Sequence, residues 1–494
     1  MTGISKWDFI GANERKVWQG RAFGRFVRDQ VAPYSPFYRK LFAQQRIDPT
    51  QLRSLDDLRR IPFTTKEDLL PTAERPDAAR DFILTPTEET LRAHLPLSRK
   101  LQFLGQSALG RKDRVRASLQ SEYNPETLLV TTGRSAGSVP VFLTPHDRRR
   151  LVEAGRRICG HLDLKSGRDR TLSLFPYAPH LAFWQVSACG EGANVLTFNS
   201  GGGRIIPTTR LLETIATFRP TCIAGMPGFV GHLLRQAVAE NRDWSSVKVV
   251  TLGGENVPQG LADKLSQLLM RVRAPKARVV SVLGFTEARS CWTECHHGRF
   301  GFHTNPDMEV LEIVDPATGD PLPEGATGEL VYSCLNGRGS VLLRYRTGDI
   351  IEGGVSESEP CRGCGSLVPR IRSDLARVSN VRELNLSKVK GTLVNLNDLS
   401  SIITGDAGVE EWQLEICKRN DDALDVDELV LNVSQRGTEP LSNLEARLQS
   451  AIFARSELHV NHIRSMPLAE VVARLGTETQ TKEDRIVDRR HHAR

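Results

Sequence analysis

The chain has 494 residues, 39% hydrophobic and 25% charged, an ordinary globular composition with length for about two to four domains. Its net charge of +7, from 66 Lys and Arg scattered against 59 Asp and Glu, marks out no nucleic-acid-reading stripe but suits polyanionic small molecules such as nucleotides. No apolar run approaches the roughly 18 residues that cross a bilayer, and Met1 to Trp7 lacks a signal-peptide core, so a cytoplasmic protein without nucleic-acid or membrane partners is expected.

Residues 1–75 read as amphipathic helices. Val17, Phe23, Phe26 and Val27 recur at helical spacing, and Thr65 is placed to cap a helix starting near Lys66. Residues 76–120 are charged and irregular in pattern and read as an insertion or surface excursion. From 121 to 290 strands and helices alternate. Strands are expected at 128–130, 141–144, 172–175, 193–198, 221–225, 247–252 and 278–283, and helices at 211–218, 229–240 and 261–272. Such alternation argues for largely parallel sheets with helices on their faces, whose ligands sit beyond the carboxyl ends of the strands. Three loops fall there: 131–137, 253–255 and 284–287. Strands dominate 305–350, and after about residue 372 the pattern becomes that of a small α+β domain. The expected fold class is therefore α/β. A large domain, 1–372, has mixed or parallel sheets flanked by helices plus a small β-barrel-like part, and a small α+β domain spans 373–494.

Two stretches carry chemistry by themselves. In the 131–140 turn, glycines let backbone N–H groups approach a ligand and hydroxyls add donors, which suits a phosphate; a hydroxyl-rich hairpin turn reads equally well. Nine cysteines, odd in number and spread widely, argue against a disulfide framework. Cys361-Arg362-Gly363-Cys364-Gly365 is half of a common zinc knuckle, or two free thiols.

The ordered set is more specific than its members. The hydroxyl/glycine loop, Gly253-Gly254-Glu255, Gly284-Phe285-Thr286-Glu287, Arg344-Tyr345-Arg346-Thr347-Gly348-Asp349 and a late lysine resemble the adenylate-forming acyl-CoA synthetase superfamily. Ser35-Pro36-Phe37-Tyr38-Arg39, the 61–69 segment and the run from Asp315 to Leu330 resemble its phenylacetate–CoA ligase branch. The resemblance covers most of the chain outside 76–120.

What it implies is a ligase that uses ATP and Mg²⁺ to turn a carboxylic acid, an aryl one, into acyl-AMP, then moves the acyl group to CoA. Transfer to an amine, an alcohol or a carrier protein is the alternative, and an inactive relative serving as a binding protein is a third. The enzyme's work is positioning and charge stabilisation on phosphate oxygens. The resemblance assigns the ATP phosphates to Thr131, Thr132, Gly133, Arg134, Ser135 and Gly137, where Arg134 and Ala136 depart from the usual small residues. Gly253, Gly254 and Glu255 pass along adenine, with Gly284 and Phe285 leading to Thr286 on phosphate and Glu287 on Mg²⁺. Leu283 stands where the family often has a stacking tyrosine. Asp349 takes the ribose hydroxyls, and Arg370 is a nearby phosphate or ribose contact. Lys482 is the catalytic lysine, preceded by Thr481 where glycine is usual, in the small domain that rotates between half-reactions. Asp374 and Glu383 both suit the hinge. A structural Zn²⁺ would take Cys295, His303, Cys361 and Cys364, with His296 or His297 able to replace His303. Tyr177, His180, Phe183 and Trp184 lie where relatives line the acyl pocket. The partners implied are the acid and CoA, and a homodimer stays open.

Overall fold

In the computed structural model, which describes residues 5–95, 97–108, 110–131, 138–203, 205–255, 257–372, 375–377, 381–384, 392–421, 426–456, 458–477, 479–480 and 483–490, the chain is α/β and forms two units. One unit comprises 1–169, 177–197 and 282–373; the other comprises 170–176, 198–281 and 374–494.

The first unit opens with the helix Ala12–Phe26, which buries Phe23 and Phe26. The Pro36–Gln44 helix begins at Ser35, whose hydroxyl accepts from the Tyr38 N–H at 3.3 Å. At Lys66–Leu69, Thr65 and Asp68 form a reciprocal capping box. Ala78–Phe82 is a buried turn, and Glu88–His94, Leu97–Ala108 and Lys112–Tyr123 are helices.

Thr127–Val130 and Pro140–Leu143 pair antiparallel, with Val130 opposite Pro140. The following helix, Pro145–His161, packs on Leu181–Ala193 through small residues: a Cβ on Gly155 would meet the Cys189 nitrogen at 2.6 Å. Beyond them lies an antiparallel array of 282–285, Ser290–Cys295, Gly298–His303, Arg370–Ile371 and Val355–Ser356. Glu309–Val314, Gly328–Cys334 and Tyr345–Ile351 form a meander.

The second unit holds the parallel strands Arg170–Ser173, Cys222–Gly225 and Val249–Gly253, with Ile223 opposite Leu172 and Val250. Every residue of the latter two strands is buried, as continuous apolar runs require of a sheet covered on both faces. The helices Thr208–Phe218, Pro227–Ala239 and Gln259–Arg271 supply Leu211, Ile215, Leu233, Leu234 and Leu265 to one core with Val250 and Trp244. Burial of each such side chain contributes about 1.5–3 kcal/mol.

In the same unit, Val409–Lys418 and Asp427–Gln435 pair antiparallel, flanked in parallel by Ile486–Asp488 and His462–Ser465. Trp412, Leu414 and Ile416 face a core with Leu444 and Leu448 of the Leu441–Ser456 helix. The alternate residues, Glu411, Gln413 and Glu415, are polar and also buried. That second face of the strand has to be neutralised by other charges. A Cβ on Gly260 would lie 2.7 Å from the Gly405 Cα, so the Gln259–Arg271 and Leu396–Gly405 helices approach at backbone distance.

Candidate active site

In the first unit the structure brings Thr286, Glu287 and Asp349 together. The strand ending at Phe285 runs into a single turn, Thr286–Ala288, closed by Arg289 in the left-handed conformation at φ 54°. Gly284 sits opposite Cys291, and a Cβ there would meet the Cys291 Sγ at 2.4 Å, so only glycine lets the two strands approach. Phe285 packs edge-on against Tyr332, with ring centroids 5.6 Å apart.

Asp349 reaches this turn by a bulge. Val331 pairs with Arg346, but Glu329 pairs with Ile350, so the one residue between them, Leu330, is matched by three, Thr347, Gly348 and Asp349. Gly348, at φ 73°, makes that bulge, and the Asp349 N–H donates to the Thr347 hydroxyl at 3.1 Å. The Tyr345 hydroxyl donates to Glu287 Oε1 at 3.0 Å. Burial pushes the Glu287 carboxyl above its usual range and the Asp349 charge adds to the effect, while the Tyr345 hydrogen bond and Lys66 oppose it. A half-buried carboxylate beside a second carboxylate is a site that a hard cation would relieve.

Behind the turn lies an ion pair that the sequence reading missed. Arg289 Nη1 donates to Asp147 Oδ1 at 2.9 Å, and both side chains are buried. Asp147 also accepts from the Arg338 and Gly339 N–H groups, at 3.1 and 2.7 Å, and from Thr144 at the head of the Pro145–His161 helix. Despite burial, Arg289 and these N–H donors hold its pKa down to about 2.

Of the phosphate-loop residues, Thr131 is described; Thr132, Gly133, Arg134, Ser135 and Gly137 lie outside the described residues, as does Lys482. Thr131 closes the neck of the loop. Its N–H donates to the Val139 carbonyl at 3.0 Å, and its hydroxyl accepts from the Val139 N–H at 2.9 Å. His180 fixes the same neck, its Nδ1 lying 2.7 Å from the Val130 carbonyl. Tyr177 packs edge-on against Phe183 at 5.3 Å, and Phe183 against Trp184 at 5.6 Å. Of the hinge candidates, Asp374 lies outside the described residues, and Glu383 is described in backbone alone.

Gly253, Gly254 and Glu255 belong to the second unit. Gly254 adopts φ 86°, which favours glycine, and a Cβ added there would meet Met226 at van der Waals distance. Glu255 lines a cavity with Leu174, Met226, Phe229, Thr477 and Glu483.

Cys295, His303, Cys361 and Cys364 converge in the first unit, with their ligand atoms all within 4.8 Å of one another. Two sulfurs of a tetrahedral site with 2.3 Å zinc–sulfur bonds are about 3.8 Å apart. The Cys295 and Cys361 sulfurs lie 3.8 Å apart, and the Cys364 sulfur lies 3.3 Å from His303 Nε2. His303 Nδ1 contacts the Thr293 carbonyl at 3.1 Å, which leaves Nε2 as the ligand nitrogen. His296 instead contacts the His161 carbonyl and stacks on His297. Arg370 is adjacent to this cluster rather than to Asp349 in its hydrogen bonding. Its donors go to the Phe300 and Glu359 carbonyls and to Ser356. His161, stacked on His303 with centroids 4.3 Å apart, is a second residue that sequence alone did not single out.

Among the described residues, no helix is long and apolar enough to cross a membrane. Residues 144–338 match the family model described as "AMP-binding enzyme". The phenylacetate-coenzyme A ligase of Thermus thermophilus is 24% identical over 409 residues, covering 81% of this chain and 77% of that protein. The phenylacetate-coenzyme A ligase of Escherichia coli is 23% identical over 449 residues, covering 88% of each. Among solved structures, a 2-hydroxyisobutyryl-CoA ligase in the postadenylation state shares the fold, with a TM-score of 0.75 at 18% identity over 98% of this chain and 91% of the other. By these matches the chain is similar to AMP-binding enzymes and fits the phenylacetate–CoA ligase-like branch.

Proposed function

We propose that this enzyme activates an aryl carboxylic acid with ATP to an acyl-AMP and passes the acyl group to CoA, releasing AMP and pyrophosphate. The observation that carries this reading is the junction of two separate motifs at one place. Glu287 of the Gly-Phe-Thr-Glu turn and Asp349 of the Thr-Gly-Asp bulge interact electrostatically, with Tyr345 bonded to the former. Attack of a carboxylate on the α-phosphate builds charge on phosphate oxygens, and the residue types assembled here serve that need. Asp349 accepts from ribose hydroxyls, Thr286 donates to phosphate, and Glu287 holds Mg²⁺, which neutralises phosphate charge when bound. The loop closed at Thr131, with Arg134 among its residues, holds the ATP phosphates, and Lys482 neutralises charge at the α-phosphate during adenylation. Residues 1–372 act as the ATP- and acid-binding domain, and 373–494 as the domain that carries the lysine. The aromatic contacts of Tyr177, Phe183 and Trp184 support an aryl acid. The four-residue Cys/His cluster fits a structural Zn²⁺, because four protein ligands leave no open coordination position.

The test is carboxylate-dependent ATP–pyrophosphate exchange across a panel of aryl and alkyl acids, followed by AMP release with and without CoA. Exchange with an aryl acid, stimulated to turnover by CoA, is the expected result. Exchange without CoA stimulation would transfer the reading to another acceptor, and no exchange with any acid would refute the activity.

A further inference from the structure

The second unit contains a run of buried charge that none of the motifs accounts for. Arg235, on the Pro227–Ala239 helix, donates from Nη1 to Glu411 Oε1 at 2.8 Å. The other oxygen of Glu411 accepts from Arg485 Nη1 at 2.9 Å. Arg485 in turn pairs with Glu483 Oε2 at 2.6 Å and lies over the Trp412 ring. Glu483 is then held twice more. Its Oε1 accepts from the Thr477 hydroxyl at 2.8 Å, and its backbone N–H donates to Glu255 Oε1 at 3.3 Å. The opposing surface is Gly228, where a Cβ would lie 2.0 Å from the Glu483 carboxyl carbon. The Glu483 side chain thus seats on backbone that only a glycine leaves clear.

Two arginines on one buried glutamate set a fixed register between the helix and the Ile486–Asp488 strand. The strand pairs with Val409–Lys418, so Arg485 and Glu411 are also held by a backbone ladder: Leu414 faces Ile486, and the Leu414 N–H bonds the Arg485 carbonyl at 2.8 Å. The far end of the chain of pairs is Glu255, the last residue of the Gly-Gly-Glu turn. A surface salt bridge contributes little and tolerates slack. A buried, doubly paired carboxylate does not, because removing one partner leaves charge uncompensated.

We propose that the Arg235–Glu411–Arg485–Glu483 chain of ion pairs is a positioning device that seats the Glu483–Arg485 segment against Glu255 for adenylate formation. This rests on the reading that the enzyme adenylates an acid. In that reading the residue before Glu483 acts at the α-phosphate, where charge builds in the first half-reaction. Thioester formation displaces AMP at the acyl carbon and makes no such demand on the segment. Arg235, Glu411 and Arg485 are positioning residues that act through Glu483.

The experiment separates the two half-reactions in the full-length enzyme. Arg235→Gln is expected to lower kcat for pyrophosphate exchange by about 10–100-fold, the cost of a catalytic group displaced by about 1 Å. Thioester formation from supplied acyl-AMP and CoA should change less than about threefold. Arg235→Lys, which keeps a cation facing Glu411, should recover most of the exchange. Thr477→Val removes a different tie on Glu483 and should reproduce the selective loss. Arg447→Gln, which breaks an exposed pair with Asp406 and Glu439 elsewhere, should leave both steps unchanged. Equal loss in both half-reactions, or no loss of exchange in Arg235→Gln, would overturn the positioning role while leaving the enzyme's activity standing. Absence of exchange in the unaltered enzyme would overturn the activity and this role with it.

Discussion

Replacing Asp147 by Asn tests whether the scaffold behind the Thr286–Glu287 turn is held by charge. The Asp147 side chain has two oxygens and five donors around it. Oδ1 accepts from Arg289 Nη1 and the Arg338 N–H, while Oδ2 accepts from Gly339 and from the Thr144 N–H and hydroxyl. Asparagine keeps one acceptor and presents an NH₂ group to the remaining donors, whichever way it is turned. The carboxyl is held at about 2 against an ordinary 3.8, a stabilisation of the ionised form by about 2.4 kcal/mol. Stranding the Arg289 guanidinium in a buried site raises the cost to about 3–5 kcal/mol. Urea unfolding of Asp147→Asn against the unaltered protein should therefore show a loss of that size at pH 7. The sign with pH follows from a depressed carboxylate. Its contribution is present above the ordinary pKa and is lost as pH falls through about 4 toward 2, so the gap between the two proteins should narrow on acidification. A difference below about 1 kcal/mol at pH 7, or a gap that widens in acid, would refute the reasoning.

Glu309 makes the opposite prediction. It is fully buried, bonded by the Trp292 Nε1–H at 2.7 Å and the Asn305 N–H at 2.5 Å, and burial pushes it up to about 7. A raised carboxyl stabilises the fold below its ordinary pKa of 4.5 and loses that contribution as pH rises to about 7, by about 3 kcal/mol in all. Glu309→Gln should lack this step in urea unfolding between pH 4.5 and 7.5; an identical pH profile in both proteins would refute the assignment. For the Cys/His cluster, metal analysis should find about one zinc per chain, and Cys361→Ser should lose it. Because Ser366 donates to Asp8 and Arg15 bonds the Leu367 and Glu357 carbonyls, the metal-free protein should be cut by trypsin at Arg15 much faster than the metal-bound one. No zinc in native protein would remove that site.

What the sequence made legible was whatever has a local period. The strands Cys222–Gly225 and Val249–Gly253 announce themselves as unbroken apolar runs because both of their faces are covered. Thr65 and Ser35 cap helices through contacts three residues away, and that spacing is readable. The motif residues Glu287 and Asp349 were legible as types, but the Gly348 bulge that re-aims Asp349 and the Tyr345 hydroxyl on Glu287 depend on strand register. The choice among His296, His297 and His303 was open for the same reason. His303 pairs in register with Arg370, which brings it beside the Cys361–Cys364 knuckle, while His296 and His297 occupy the turn before that strand. Arg289 with Asp147, 142 residues apart, and Arg235 with Glu411, 176 apart, have no local signal. Ion pairs need only opposite charge and proximity, and a fold supplies proximity without regard to separation along the chain.

Asp147 and Glu411 on one side and Glu287 on the other are set by different electrostatics. Asp147 and Glu411 each face at least one arginine and are held at about 2, so they stay ionised and rigid through any working pH. Among the described residues no arginine is bonded to Glu287; Tyr345 donates to it, its neighbour Asp349 is acidic, and burial pushes its carboxyl up. Buried guanidinium groups thus hold Asp147 and Glu411 ionised, whereas Glu287, which the family motif assigns to a cation, is opposed by Asp349 and only partly offset by Tyr345 and Lys66. Glu309 shows that a raised pKa alone does not mark a site. It too is pushed up, but its Oε1 is taken by the Trp292 indole and the Asn305 N–H, and Asp349 is not among the groups acting on it. The mark of the proposed site is the pair: two carboxylates from different motifs brought together by a glycine bulge. Burial and the neighbouring Asp349 charge together raise Glu287, and a bound cation beside the pair would relieve both.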